Sequence, residues 1–153
     1  MNPFIKTSTK FNLLIAGIFL ALDQYSKYWA KSSLEGNEGL IIIPDILEFF
    51  YAENTGMAFS NFSDKPLVLT IIVSSAIAML IFLSFKIKYL SLDFALIISG
   101  GLGNLIDRLR YGYVIDFIDP VFVNFAIFNV ADIALNIGIF IMLLEYFRPK
   151  KST

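Results

Sequence analysis

A chain of 153 residues that is 57% hydrophobic and only 16% charged, with a mean hydropathy of +0.71, is too apolar for a soluble globular domain; its length suits one integral membrane unit, 1–153. A net charge of -1 carries no polyanion-binding signal, so nucleic acid is not an expected partner. With neither Cys nor His, the chain has no thiol nucleophile, Ser-His-Asp triad, zinc-thiolate site, His-ligated metal or disulfide, and catalysis must rest on Asp, Glu, Lys, Tyr, Ser or Thr.

The first ten residues are polar, with Lys6 and Lys10. An apolar run follows from Phe11 and its pattern continues to Trp29. A basic start and an apolar run suggest a signal peptide, but no small-x-small cleavage site follows, so residues 11–30 are read as an uncleaved first span. Asp23 and Lys27 are four apart and share a helix face, where a plain interfacial ion pair is the simplest reading. Tyr25, Tyr28 and Trp29 suit a membrane interface.

Residues 31–65 form the longest segment outside the spans. Two short strands are expected, at 40–43 and 46–51 around a Pro44-Asp45 turn, and a turn with an apolar tail at 54–59. This loop is too apolar to float free; it is expected to lie against the membrane or cover the helices, and to move. Residues 66–85 and 90–109 are the second and third spans, each about 20 residues. The third holds Ser99, Gly100, Gly101 and Gly103, small residues that let helices approach closely and, inside a span, no phosphate loop. Asp93 near its start is expected to be solvated or a cap. Residues 110–125 read as a connection, with Asp119 beside Pro120 as a turn former, and 129–147 as the fourth span. The many Phe are expected to face lipid or pack. The predicted fold is an all-α membrane protein, a four-transmembrane-helix bundle with a small extracytoplasmic sheet and loop region.

Lys6, Lys10, Lys86, Lys88, Arg148, Lys150 and Lys151 fall on one side of such a bundle, against Lys27, Lys31, Lys65, Arg108 and Arg110 on the other. The modest bias puts both termini in the cytoplasm. Alternation of four spans then gathers Asp23, Lys27, Asn54, Asn104, Asp107, Arg108, Asp116, Asn129 and Asp132 in one layer at the outer boundary. Asn104, Asp107 and Arg108 share a helix face, as do Asn129, Asp132 and Asn136. Asp107 is expected to be structural, pairing with a Lys or Arg. Asp116 by itself reads equally well as a solvated loop carboxylate; Asp132 reads as a helix cap, although Asn129 is the better cap candidate. Brought together, Asp116 and Asp132 cannot both ionise easily; sharing one proton, they can activate a water and protonate a carbonyl, the chemistry of an aspartic protease. The same carboxylates also suit an ion- or proton-coupled carrier, or a hydrolase whose Asp and Asn oxygens hold Mg or Ca.

Five blocks carry a resemblance: D-Q-x-S-K at 23–27, N-T-G-x-A-F at 54–59, G-x-x-G-N-L-I-D-R at 100–108, V-I-D-F at 114–117 and F-N-x-A-D at 128–132. In this order and spacing the chain resembles the lipoprotein signal peptidases, or type II signal peptidases, over nearly its whole length. Ser26, Ser99 and Gly101 stand where the family often has Thr, Gly and Ala, each a swap between small residues. The resemblance implies a bacterial inner-membrane enzyme, working near the outer face. It would cleave the signal peptide of diacylglyceryl-modified prolipoproteins just before the lipidated cysteine. It implies Asp116 and Asp132 as the catalytic dyad, with Asn54, Gly100, Asn104, Arg108 and Asn129 lining or supporting the site and Asp23 and Lys27 as the matching pair. It implies no metal and no cofactor. Its expected partners are lipid-modified prolipoprotein signal peptides, membrane lipid and cyclic-peptide inhibitors such as globomycin, and a monomer is expected.

Overall fold

The computed structural model describes residues 7–56 and 66–147, and these form four α-helices and three β-strands. Helix α1, Thr9–Leu34, begins where the Ser8 hydroxyl accepts a hydrogen bond from the Phe11 amide at 3.2 Å. Its burial is inverted relative to a water-soluble helix. Leu13, Leu14, Ile18 and Leu22 are exposed, while Asn12, Asp23 and Lys27 are buried. Helix α2, Pro66–Ile87, is strongly apolar, with Lys86 in its last turn as its one charged residue. Helix α3, Leu92–Tyr111, is the central element and packs against α1, α2 and α4. It stops at Gly112, whose φ of 85° suits a residue without Cβ. Helix α4, Val130–Tyr146, packs along α3. Among the described residues one window, Thr70–Ile87 in α2 with a mean hydropathy of 2.1, is long and apolar enough to cross a bilayer by composition. Helices α1 and α3 carry charges within their length, and α4 has 17 described residues.

Two glycines let α3 and α4 meet. A Cβ at Gly100 would run into the Ala131 carbonyl oxygen, and one at Gly138 would come within 2.8 Å of the Asp93 carbonyl oxygen. The second contact draws the first turn of α3 into the bundle. Asp93 is therefore 2% exposed, not solvated as expected, and Ser91 holds the N-cap position instead.

The sheet has the order β1-β2-β3, with both pairings antiparallel. Strand β1, Leu40–Ile43, has the predicted bounds; β2, Leu47–Asn54, starts one residue later and runs three further than expected, which carries Asn54 to its end. Strand β3, Val114–Asp119, lies within the segment read from sequence as a connection. Asp119 is thus the last residue of a strand, opposite Glu48. The fold is mostly helical with a small sheet, as expected, and the sheet has three strands, the third of which was not anticipated. Residues 57–59 of the predicted turn lie outside the described residues, as do Lys6, Lys65, Arg148, Lys150 and Lys151.

An apolar core pins the sheet to the helices. Ala30 and Leu34 of α1 meet Ile115 and Phe117 of β3. Trp29, Phe49 and Phe117 pack edge to face, with ring centroids 5.6 to 6.3 Å apart. Below Trp29 by half a turn, α1 turns polar, and the site begins.

Candidate active site

Lys27 is the hub. Its ammonium is 2.9 to 3.0 Å from Asp107 Oδ2, Asn104 Oδ1 and Asp23 Oδ2, three acceptors for three N–H bonds. Asp107 therefore pairs with a lysine, as expected. The remaining carboxylate capacity is also used. Asp23 Oδ1 accepts the Ala131 amide at 2.8 Å in the first turn of α4, and Asp107 Oδ2 accepts the Ile115 amide at 3.2 Å. Gln24 Nε2 reaches Asp23 Oδ2, Asp107 Oδ1 and the Gly103 carbonyl at 3.2 to 3.3 Å. Burial of an ammonium is tolerable only with such a full set of partners. Gly103 makes room for the pair, because a Cβ there would strike Asp23 Oδ2.

Two asparagines carry the network outward. Lys27 fixes Asn104 with its oxygen inward, so its Nδ2 donates to Asp132 Oδ1 at 2.8 Å. Asn129 is the N-cap of α4: its Oδ1 accepts the Asp132 amide at 3.0 Å, and its Nδ2 donates to Asp116 Oδ1 at 2.6 Å and Asn104 Oδ1 at 3.1 Å. Asp132 in turn accepts the Asn129 amide on Oδ2 at 3.3 Å, closing a capping box. The two cap readings thus merge. Asn129 is the cap, and Asp132 completes it while keeping a half-buried carboxylate at the edge of the cluster.

Asp116 projects from β3, opposite Ala52 of β2. It is 2% exposed, so the solvated-loop reading does not hold. Its second oxygen accepts Asn54 Nδ2 at 2.8 Å, while Asn54 Oδ1 accepts the Gly56 amide at 2.8 Å in the turn after β2. Burial pushes the Asp116 carboxyl up to about 6; the Asn54 and Asn129 donors and Lys27 pull it down, and the Asp132 charge adds to the rise. Asp116 and Asp132 are thus bound to the same Asn129 side chain and electrostatically coupled. Arg108 is half-buried, its charge acts on Asp132, Asp116 and Asp107, and among the described residues it closes no ion pair with any of them.

Every residue expected to line or support the site except one touches this network or faces its charges. The exception is Gly100, which contributes through the close packing of α3 on Ala131, beside Asp132. Gln24 was quoted in the first block but given no role in the site; its contact with Asp107, 83 positions away, shows its use. A second unanticipated group surrounds Lys31. Its ammonium donates to Tyr113 Oη at 2.9 Å, Tyr51 Oη at 3.1 Å and Glu35 Oε1 at 3.2 Å, and lies 5.2 Å from the Tyr111 ring centroid. This ties α1 to β2 and to the chain entering β3, the strands that carry Asn54 and Asp116.

Residues 15–148 match the family model described as signal peptidase (SPase) II, a peptidase of the A8 family. The chain is 40% identical over 143 residues to a lipoprotein signal peptidase of Streptococcus agalactiae (serotype Ia), covering 91% of this chain and 93% of that protein. It is 38% identical over 139 residues to a lipoprotein signal peptidase of Clostridium tetani, covering 86% of this chain and 89% of that one. A bacterial membrane enzyme solved by the in meso method at 1.9 Å resolution superimposes with a TM-score of 0.83 at 28% identity, covering 97% of each chain.

Proposed function

On the premise that the chain belongs to the signal peptidase II family, a family of membrane peptidases that process lipoproteins, we propose that Asp116 and Asp132 form the catalytic dyad of an aspartic endopeptidase. Its substrates are diacylglyceryl-modified prolipoproteins, cut just before the lipidated cysteine. Helices α1 to α4 cross the inner membrane, both termini face the cytoplasm, and the dyad works near the outer face.

The observation that carries this reading is the shared Asn129. It holds one carboxylate by its amide and the other by its helix cap, so two acids from β3 and α4 are fixed relative to each other. Asp116, the more deeply buried and with its carboxyl raised, keeps the shared proton. Asp132 takes a proton from a water, the water oxygen adds to the scissile carbonyl carbon, and Asp116 donates its proton to the carbonyl oxygen. The tetrahedral intermediate then collapses: the C–N bond breaks, the amine leaves with the proton held by Asp132, and the hydroxyl proton returns to Asp116. Arg108, uncommitted and beside both acids, holds a substrate backbone carbonyl. The protein acts as a monomer, and globomycin-type cyclic peptides compete for the same site.

Asp116→Asn and Asp132→Asn, assayed on a lipidated precursor in detergent, test the assignment; near-wild-type cleavage by either variant overturns it. Turnover that persists in chelator separates this dyad from a metal-dependent hydrolase.

A further inference from the structure

At the opposite end of the molecule from the dyad, α1 and α2 stand apart over α3 and leave an apolar groove of about 540 Å³. Leu13 lines it from α1, Ile81 and Phe85 from α2, and Ile98 from α3. The volume is that of a small-molecule site. Its mouth is polar and built. Asn12 Nδ2 donates to the Leu90 carbonyl at 2.8 Å and the Leu90 amide donates to Thr9 Oγ1 at 3.3 Å, which ties the α2–α3 turn to α1. Tyr89, also lining the groove, donates its hydroxyl to the Thr7 carbonyl at 3.1 Å.

Two hydrogen-bond donors at this mouth are unspent among the described residues. Thr9 Oγ1 accepts from Leu90 and keeps its own O–H free, and the exposed Lys88 makes no ion pair. Ser84, by contrast, spends its O–H on the Leu80 carbonyl. Lys10 and Lys86 are exposed close by in the chain. The described acids at this end, Asp93 and Glu145, do not line the groove. An apolar trough that ends in an ammonium and a hydroxyl is complementary to a chain-bearing phosphate.

We propose that the groove binds one anionic phospholipid of the cytoplasmic leaflet. Lys88 and Thr9 hold its phosphate, and an acyl chain lies along Leu13, Phe85 and Ile98. The inference rests on the membrane orientation proposed above, and its test does not depend on proteolysis. The enzyme in detergent is titrated with phosphatidylglycerol or with phosphatidylcholine of the same acyl chains, and bound lipid is read by native mass spectrometry. Wild-type enzyme should retain phosphatidylglycerol about fivefold better than phosphatidylcholine. Lys88→Asn, which removes the charge but suits the φ of 53° at this position, should lower phosphatidylglycerol binding about fivefold. Ile98→Trp, filling the trough from its floor, should abolish binding of both lipids, with its retained cleavage of a lipidated precursor reporting an intact fold. Lys86→Gln, an equal loss of charge outside the groove, should change binding little. Equal retention of the two lipids, equal losses in Lys88→Asn and Lys86→Gln, or an active Ile98→Trp that still binds would each overturn the site. Lys88→Asn should still cut the precursor in detergent, so failure of the lipid site and failure of the peptidase reading are seen separately.

Discussion

Two pairs of aspartates share one polar layer, and they differ in what faces them. Asp23 and Asp107 flank the Lys27 ammonium at 3.0 and 2.9 Å, and backbone amides take up the oxygens left over. Asp116 and Asp132 receive only neutral donors, from Asn54, Asn104, Asn129 and the backbone, and their cationic neighbour Arg108 stays unpaired among the described residues. The first pair is held in place by direct contact with a cation. The second is positioned just as firmly, but no cation touches it directly. The same residue type therefore serves as a structural strut on one side of Asn104 and, on the proposed assignment, as acid and base on the other.

Substitutions can break that contrast from either side. The largest effect should come from Asp116→Asn or Asp132→Asn, which should slow cleavage of a lipidated precursor by about 10²- to 10⁴-fold while thermal unfolding in detergent still shows a folded enzyme. Lys27→Met should do the reverse damage: it strands two buried carboxylates and should cost about 3–5 kcal/mol of stability, measured by the same unfolding assay. Gly103→Ala presses a methyl group on the Asp23–Lys27 pair and should cost about 1–3 kcal/mol. The smallest effect concerns pH. If Asp116 supplies the proton as proposed, with burial raising its carboxyl to about 6, kcat/KM should fall as pH rises past that value. Asn54→Ala removes a donor that favours the ionised form, so the falling limb should move to higher pH, by up to about one unit. A limb that stays put would show that Asn54 does not set the Asp116 proton affinity.

The clustering of these polar residues was legible because motifs name residues, and alternating helices bring their ends together. Strand β1 was legible too, since four aliphatic residues run into a Pro-Asp turn. Strand β3 was not. V-I-D-F-I-D has no clean alternation, and the strand exists because it pairs with β2, more than 60 positions earlier, and packs on Ala30 and Leu34. The burial of Asp93 and the reach of Gln24 are likewise products of helix packing, in which Gly138 and Gly103 set the spacing. The double part played by Asp132 was missed for a different reason. The capping box and the catalytic pattern were weighed as rivals, whereas one carboxylate has two oxygens: one closes the cap and the other accepts from Asn104, within the polar cluster.

The Asp23 bond to the Ala131 amide has a consequence for biosynthesis. Among the described elements, the first helix carries a carboxylate whose partner lies in the last helix, and the two acids of the proposed dyad come from the final strand and that same helix. Until α4 inserts and seats its first turn on Asp23, Asn129 is not in place to hold Asp116 and Asp132 together. On the proposed assignment, a nascent chain that has made three helices should be proteolytically silent, with activity beginning when the last helix docks.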